Sequence, residues 1–102
     1  MISGTFVYER FIIELTTEIN ELDLSLRTRN CLVRAGIFYL GELIEICKGE
    51  NFDRLLKIRN LGKYSIFEIS IQLDNILNTN EYKLKYIKVF GILEFEKYIE
   101  NE

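Results

Sequence analysis

Histidine is absent from the sequence, and cysteine occurs only twice, at Cys31 and Cys47, without a C-x-x-C pair. Histidine-based catalytic triads and zinc sites therefore lack the residues that build them. The sequence also has no Walker-type phosphate loop and no dense acidic cluster for a metal ion. We therefore predict that the protein is not an enzyme and has no cofactor and no metal site. Both cysteines are predicted to be reduced and packed.

A long apolar segment is also missing. No run of about eighteen apolar residues occurs, and the N-terminus has no basic segment followed by an apolar one. Neither a membrane span nor a signal peptide is indicated. We therefore expect the protein in the cytoplasm, without a membrane partner.

Length and composition indicate a single domain over residues 1–102. Hydrophobic residues make up 48% of the chain, which suffices for one modest core. The net charge of −3 argues against a protein that coats nucleic acid without specificity, because such binding grows with the number of phosphates neutralised. A small local binding surface is compatible with this charge, since the cations cluster in two segments. They are Arg27, Arg29 and Arg34, followed by Arg54, Lys57, Arg59 and Lys63.

Apolar residues at helical spacing run through most of the chain and predict an all-α domain. At the N-terminus this spacing predicts an amphipathic helix within an additional segment, residues 1–18. Its broad apolar surface favours burial, and a homodimer contact through this helix is the alternative. One or two additional helices are predicted in residues 79–102, bent or broken near Gly91. The N-terminal stripe consists of Tyr8, Phe11, Ile12, Leu15, Ile19 and Leu22.

The segment after residue 24 is predicted to form a helix with two different faces. Ser25 is its predicted N-cap, and Gly36 is predicted to end it in the left-handed conformation. Arg27, Asn30 and Arg34 lie at i, i+3 and i+7 and therefore share one side. That side is polar and cationic, whereas the apolar residues of the helix point the other way.

Residues 58–69 contain the most informative local pattern, I-R-N-L-G-K-Y-S-I-F-E-I. Ser65 and Glu68 have the spacing of a capping box, which predicts a helix that begins at Ser65. Tyr64, just before the predicted cap, is placed for a hydrophobic staple with Ile69. The pattern predicts a rigid entry into the helix.

Gly62 lies in the turn ahead of this helix and is followed by Lys63. A glycine can adopt a positive φ and has no Cβ, so the backbone can lie close to another surface beside the positive end of the helix. Such a turn suits a phosphate, and a glycine hairpin between two helices is the helix-hairpin-helix way of holding a nucleic-acid backbone. The alternative is that Gly62 only turns the chain while Ser65 and Glu68 only cap.

An internal repeat of the pattern I-x-x-L-G occurs at residues 37–41 and 58–62. Two hairpins related by pseudo-symmetry would explain this repeat, and chance is the alternative. Only the second copy is followed by the lysine and the capping-box spacing.

A longer set of motifs resembles the C-terminal domain of the bacterial RNA polymerase alpha subunit. The matching stretches are E-L-D-L-S-L-R at 21–27, N-C-L at 30–32, R-A-G-I at 34–37, G-E-L at 41–43 and L-L-K-I-R-N-L-G-K at 55–63, with Ser65 and Glu68. The resemblance covers residues 19–78. It implies a compact, non-catalytic all-α domain with helix-hairpin-helix elements, extended here by the additional N- and C-terminal helices.

The resemblance also implies a function and a set of site residues. Domains of this family bind the minor groove of A·T-rich double-stranded DNA upstream of promoters and touch sigma factor and activators, which implies a nucleoid-associated location. By motif position, Arg27 enters the groove, and Asn30 and Cys31 support it on the same helix. The hairpin side comprises Gly62, Lys63, Ser65 and Glu68, with additional phosphate contacts expected from Arg34, Arg59 and Tyr64.

Two departures from the family pattern keep a second interpretation open. Tyr64 stands where the family often has a second lysine, which predicts one phosphate contact fewer and weak affinity. The large assembly domain to which the family domain is usually tethered has no counterpart in residues 1–102, which implies a free-standing relative. The protein is therefore either a DNA-binding module or a protein-interaction adaptor that kept the fold and binds a transcription protein instead.

Overall fold

The computed structural model describes residues 5–8 and 11–100. Two short strands come first, followed by a 3-10 turn at Ile19–Glu21 and then by helices. The strands are β1 (Thr5–Tyr8) and β2 (Phe11–Glu14), and the helices are α1 (Leu26–Arg34), α2 (Leu40–Ile46), α3 (Asp53–Leu56), α4 (Lys63–Leu77), α5 (Glu81–Phe90) and α6 (Ile92–Glu100). The all-α class is therefore confirmed for the body of the domain.

The predicted N-terminal helix is wrong. In its place β1 and β2 form an antiparallel hairpin in which Thr5 pairs with Glu14 and Tyr8 with Phe11. The two strands read T-F-V-Y and F-I-I-E, and such β-branched and aromatic residues favour strands. Val7 and Ile13, which lie off the predicted helical stripe, belong to these strands. The alternative prediction, a homodimer contact through an N-terminal helix, fails with it because this segment is not a helix.

The segment between the hairpin and α1 anchors the start of α2. The Leu40 N–H donates to the Thr17 carbonyl at 2.7 Å, and the Gly41 N–H donates to the Leu15 carbonyl at 3.0 Å. These bonds satisfy N–H groups that the first turn of a helix leaves without partners. The N-terminal segment is thus part of the domain framework.

Helix α4 is the central element of the core. Ile66, Ile69, Leu73 and Leu77 are each at most 1% exposed. Phe67 is equally buried and faces the C-terminal helices, so α4 packs on more than one side. The rest of the core surrounds this helix, with fully buried members that include Ile19, Leu32, Leu43, Phe52, Leu55 and Tyr86.

Of the one or two helices predicted in the C-terminal segment, the structure has two, and the chain breaks between them at Gly91, which has a φ of 98°. The Asp74 carboxylate of α4 caps α5 by accepting the N–H groups of Tyr82 at 2.9 Å and Lys83 at 2.8 Å. Helix α6 places Phe95, which is 5% exposed, in the hydrophobic core. This packing joins residues 79–100 to the rest of the domain.

Both cysteines are free and buried, as predicted. Burial raises the pKa of the Cys47 thiol to about 12. Within residues 5–8 and 11–100, no helix is long and apolar enough to cross a membrane.

Candidate nucleic-acid interface

Helix α1 presents the cationic face that its sequence predicts. The Ser25 Oγ accepts the Thr28 N–H at 3.3 Å, so Ser25 is the N-cap. Arg27, Asn30 and Arg34 are exposed along one side of the helix. The first turn of α1 is therefore fixed while its polar side faces solvent.

The turn that leads into α4 differs from its prediction in two details. Asn60 adopts the left-handed conformation, with a φ of 68°, whereas Gly62 is extended, with φ −90° and ψ −179°. Asparagine visits the left-handed region more readily than most residues, because its short polar side group forms local hydrogen bonds. Gly62 is the N-cap of α4, which begins at Lys63 and not at Ser65.

The predicted openness of the turn is nevertheless present at Gly62. A Cβ placed on this residue would meet no atom within 4 Å. The backbone at the start of α4 is therefore accessible to a ligand, next to the positive end of the helix dipole.

The I-x-x-L-G repeat does not produce two equivalent turns. Gly41 is the second residue of α2, whereas Gly62 precedes α4. The Glu42 carboxylate caps α2 by accepting the N–H groups of Phe38 at 2.9 Å and Tyr39 at 3.1 Å. The two copies thus enter their helices in different registers.

Ser65 and Glu68 do not form a capping box, because Ser65 already lies inside α4. Glu68 instead reaches α1, where its carboxylate accepts the Ser25 N–H at 3.1 Å and the Ser25 hydroxyl at 2.9 Å. The buried Thr28 hydroxyl lies 2.7 Å from the Ser65 Oγ and also hydrogen-bonds to the Glu68 carboxylate. We call these four residues the α1–α4 clasp. They join the start of α1 to the first turns of α4.

A second contact joins α1 to the turn before α4. The Cys31 thiol, 2% exposed, donates to the Asn60 carbonyl at 3.5 Å, and the Arg34 guanidinium approaches the Cys31 Sγ at 3.6 Å. Arg34 and Arg59 line one shallow cleft between α1 and this turn. Both arginines can therefore reach the same anionic ligand.

Tyr64 does not form the predicted staple, which requires a residue before the N-cap. It is the second residue of α4 and is 46% exposed. Its ring centroid lies 5.1 Å from that of Tyr98 in α6 and 6.0 Å from that of Phe67. The neighbouring Lys63 ammonium lies 3.9 Å from the Glu94 carboxylate of α6.

The predicted site residues therefore separate into two groups. The exposed group can contact a ligand directly, and the clasp residues and Cys31 act by holding the two helices together. Within the described part of the chain, Arg27, Arg34 and Arg59 form no salt bridge. The exposed group comprises Arg27, Asn30, Arg34, Arg59, Gly62, Lys63 and Tyr64.

Sequence reasoning missed two clasp partners. The sequence pattern indicates only a capping role for Ser25, and it assigns no hydrogen-bond partner to Thr28. The hydroxyl residue at a buried helical position is the one signal that could have revealed Thr28, because a buried hydroxyl needs a hydrogen-bond partner.

A helix joined by side-chain hydrogen bonds to a second helix, which a glycine turn opens, is typical of a small helical domain of the helix-hairpin-helix type. The family model for the C-terminal domain of the bacterial RNA polymerase alpha subunit matches residues 12–75. The chain belongs to this family. The predicted resemblance is confirmed, and membership agrees with the prediction of a non-catalytic domain.

Curated relatives give the same result. DNA-directed RNA polymerase subunit alpha of Clostridium kluyveri is 47% identical over 62 residues, which are 61% of this chain and 18% of the relative. The same subunit of Clostridium perfringens is 45% identical over 62 residues, with the same coverage, and that of Clostridium botulinum is 46% identical over 63 residues, 62% of this chain and 18% of the relative. The matched part thus spans less than a fifth of each relative. Helices α5 and α6 lie beyond residues 12–75.

Proposed function

We propose that the protein is a DNA-binding, transcription-associated domain that binds the minor groove of A·T-rich promoter-upstream DNA. The observation that carries the proposal is the exposed Arg27, which forms no salt bridge within the described residues and lies on α1, whose first turn the α1–α4 clasp joins to the helix that follows the Gly62–Lys63 turn. An exposed cation beside accessible helix N–H groups is suited to a polyanion.

Arg27 supplies the groove contact in this proposal. The minor groove of A·T-rich DNA is narrow and concentrates negative potential, so an arginine that enters it recognises shape and not a base code. Asn30 lies one turn further along the same exposed side and bonds to phosphate, sugar or a base edge. The specificity expected is therefore for A·T-rich over G·C-rich duplex.

The turn before α4 supplies the backbone contacts. The N–H groups at the start of α4 and the Lys63 ammonium bind one phosphate, and Arg34 and Arg59 bind a neighbouring phosphate from their shared cleft. Cys31, Ser65 and Glu68 contribute indirectly, since each joins α1 to the α4 side of the site. A substitution in this indirect group lowers affinity by loosening the geometry.

Sigma factor or transcription activators are the proposed protein partners. The proposed location is the cytoplasm, in association with the nucleoid. A specific observation also favours the adaptor as a second candidate function. Lys63 already contacts Glu94. Tyr64, at the position where the family often has a lysine, packs on Tyr98. Both features reduce the positive charge offered to DNA.

Fluorescence anisotropy with a labelled A·T-rich duplex separates the two candidates. Arg27→Ala should weaken binding by at least about tenfold, corresponding to about 1.4 kcal/mol. Lys48→Ala is the matched control, because it removes the same charge from an exposed residue that pairs with Glu45 at 2.8 Å. Equal affinities for the parent and both variants, or no binding by the parent, would favour the adaptor.

A further inference from the structure

Helix α6 lies against the part of α4 to which the proposed function assigns a phosphate. The Glu94 Oε1 is 3.9 Å from the Lys63 Nζ, and the Tyr98 ring meets the Tyr64 ring edge-on. This helix lies outside the part of the chain that the family model matches. The contact is therefore an addition to the matched domain.

Packing fixes the position of Glu94. The neighbouring Phe95 is buried, with its ring centroid 5.3 Å from that of Phe67 and 6.0 Å from that of Tyr86. The Glu94 side chain itself is only 20% exposed, whereas the Lys63 side chain is 58% exposed. The carboxylate is thus the more buried partner of the pair, and the ammonium is the more exposed one.

Two side chains of α6 lie close to the Glu94 carboxylate. Lys97 in the same helix also approaches its carboxylate, at 3.9 Å, so a cation stands on each side. Partial burial and the Glu94 charge together raise the pKa of the Tyr98 phenol, which therefore remains a neutral hydroxyl near Glu94.

We propose that Glu94 is an affinity-limiting residue of the nucleic-acid interface: its carboxylate occupies the Lys63 ammonium and repels the phosphate that the turn binds. This inference rests on the proposed function. A phosphate that reaches Lys63 must displace the carboxylate and then lie close to a like charge. The C-terminal helix in this way lowers the affinity of the surface that the matched domain provides.

The expected size of the effect follows from the exposure of the pair. Exposed ion pairs contribute little, so Glu94→Gln should raise affinity for an A·T-rich duplex by about three- to fivefold at low salt, or about 1 kcal/mol at most. Since salt screens exposed charges, the gain should shrink at higher ionic strength. Glutamine preserves the size of the side chain, so packing around Phe95 should be retained.

Glu96→Gln is the matched control. Glu96 is exposed on the same helix, two residues away and so on a different side, and has no salt bridge within residues 11–100. The two variants change the net charge equally. A larger gain for Glu94→Gln than for Glu96→Gln therefore measures the local effect.

The experiment has two readouts on the full chain. Anisotropy compares parent, Glu94→Gln and Glu96→Gln on the A·T-rich duplex at low and high salt. Nitrogen-15 NMR follows the Gly62 and Lys63 amides during titration with inorganic phosphate. The expected results are tighter duplex binding and at least about twofold tighter phosphate binding for Glu94→Gln alone.

The outcomes distinguish this inference from the proposed function. Equal gains for Glu94→Gln and Glu96→Gln in both readouts would overturn the role of Glu94. The proposed function would stand in that case if Arg27→Ala still weakens duplex binding. Failure of every protein to bind duplex would overturn the proposed function. In that case the phosphate titration alone decides whether Glu94 limits anion binding at the turn.

Discussion

Thr28→Val should destabilise the domain strongly, although valine preserves the size and shape of the side chain. The Thr28 side chain is fully buried, and its hydroxyl contacts both Ser65 and the Glu68 carboxylate. A hydrogen bond to a charged group contributes about 1.5–3 kcal/mol and a neutral one about 1 kcal/mol. Because Glu68 keeps its bonds from Ser25, we expect a loss of about 2 kcal/mol in the free energy of unfolding.

Urea unfolding of parent and variant measures this loss, and the slope against urea should be unchanged if only stability changes. A double-mutant cycle with Glu68→Gln tests the mechanism, with an expected coupling energy of about 0.5–3 kcal/mol. Thr16→Val is the control, since Thr16 is exposed and outside the clasp. A coupling energy near zero would refute the clasp as the connection between α1 and α4.

Three further predictions concern binding and pH. The slope of log affinity against log salt should correspond to about two to four phosphates at about 0.9 per phosphate, and a slope for eight or more would contradict a compact interface. Tyr64→Lys should strengthen duplex binding by about 1 kcal/mol at low salt, because it adds one phosphate contact. It should also lower the free energy of unfolding by up to about 1 kcal/mol, because the contacts with Tyr98 and Phe67 are lost. Unchanged binding in anisotropy would mean that the turn does not face DNA. Because burial raises the pKa of Cys47 from 9.0 to about 12, its contribution to stability is present below pH 9 and is lost as pH rises through this interval. Urea unfolding at pH 8 and 10 should show a shallower pH dependence in Cys47→Ala, and parallel curves would contradict this reasoning.

Local chemistry predicts the parts of the site whose partners lie nearby in the chain. The Ser25 cap is correct because its acceptor role is fulfilled three residues later, by Thr28. The exposed side of α1 is correct because helical periodicity alone defines it. These features depend on neighbours within a few residues, which the sequence displays directly.

Long-range partners account for the incorrect predictions. A serine and a glutamate three apart have the same spacing at a cap and inside a first turn, and here α1, some forty residues upstream, supplies the partners of Ser65 and Glu68. The N-terminal apolar residues fit a helical stripe, but their β-branched and aromatic character matches the observed hairpin. The contact of Glu94 with Lys63 joins two helices that share no sequence pattern, so no local signal indicates it.

We propose that α1 and the turn before α4 form one DNA-binding surface. Nitrogen-15 NMR during titration with an A·T-rich duplex shows whether both segments bind. We predict that the amides of residues 27–30 and 60–63 shift together and saturate at one duplex concentration, while those of residues 42–48 stay unchanged. Shifts confined to another surface, or a response of only one of the two segments, would contradict this account.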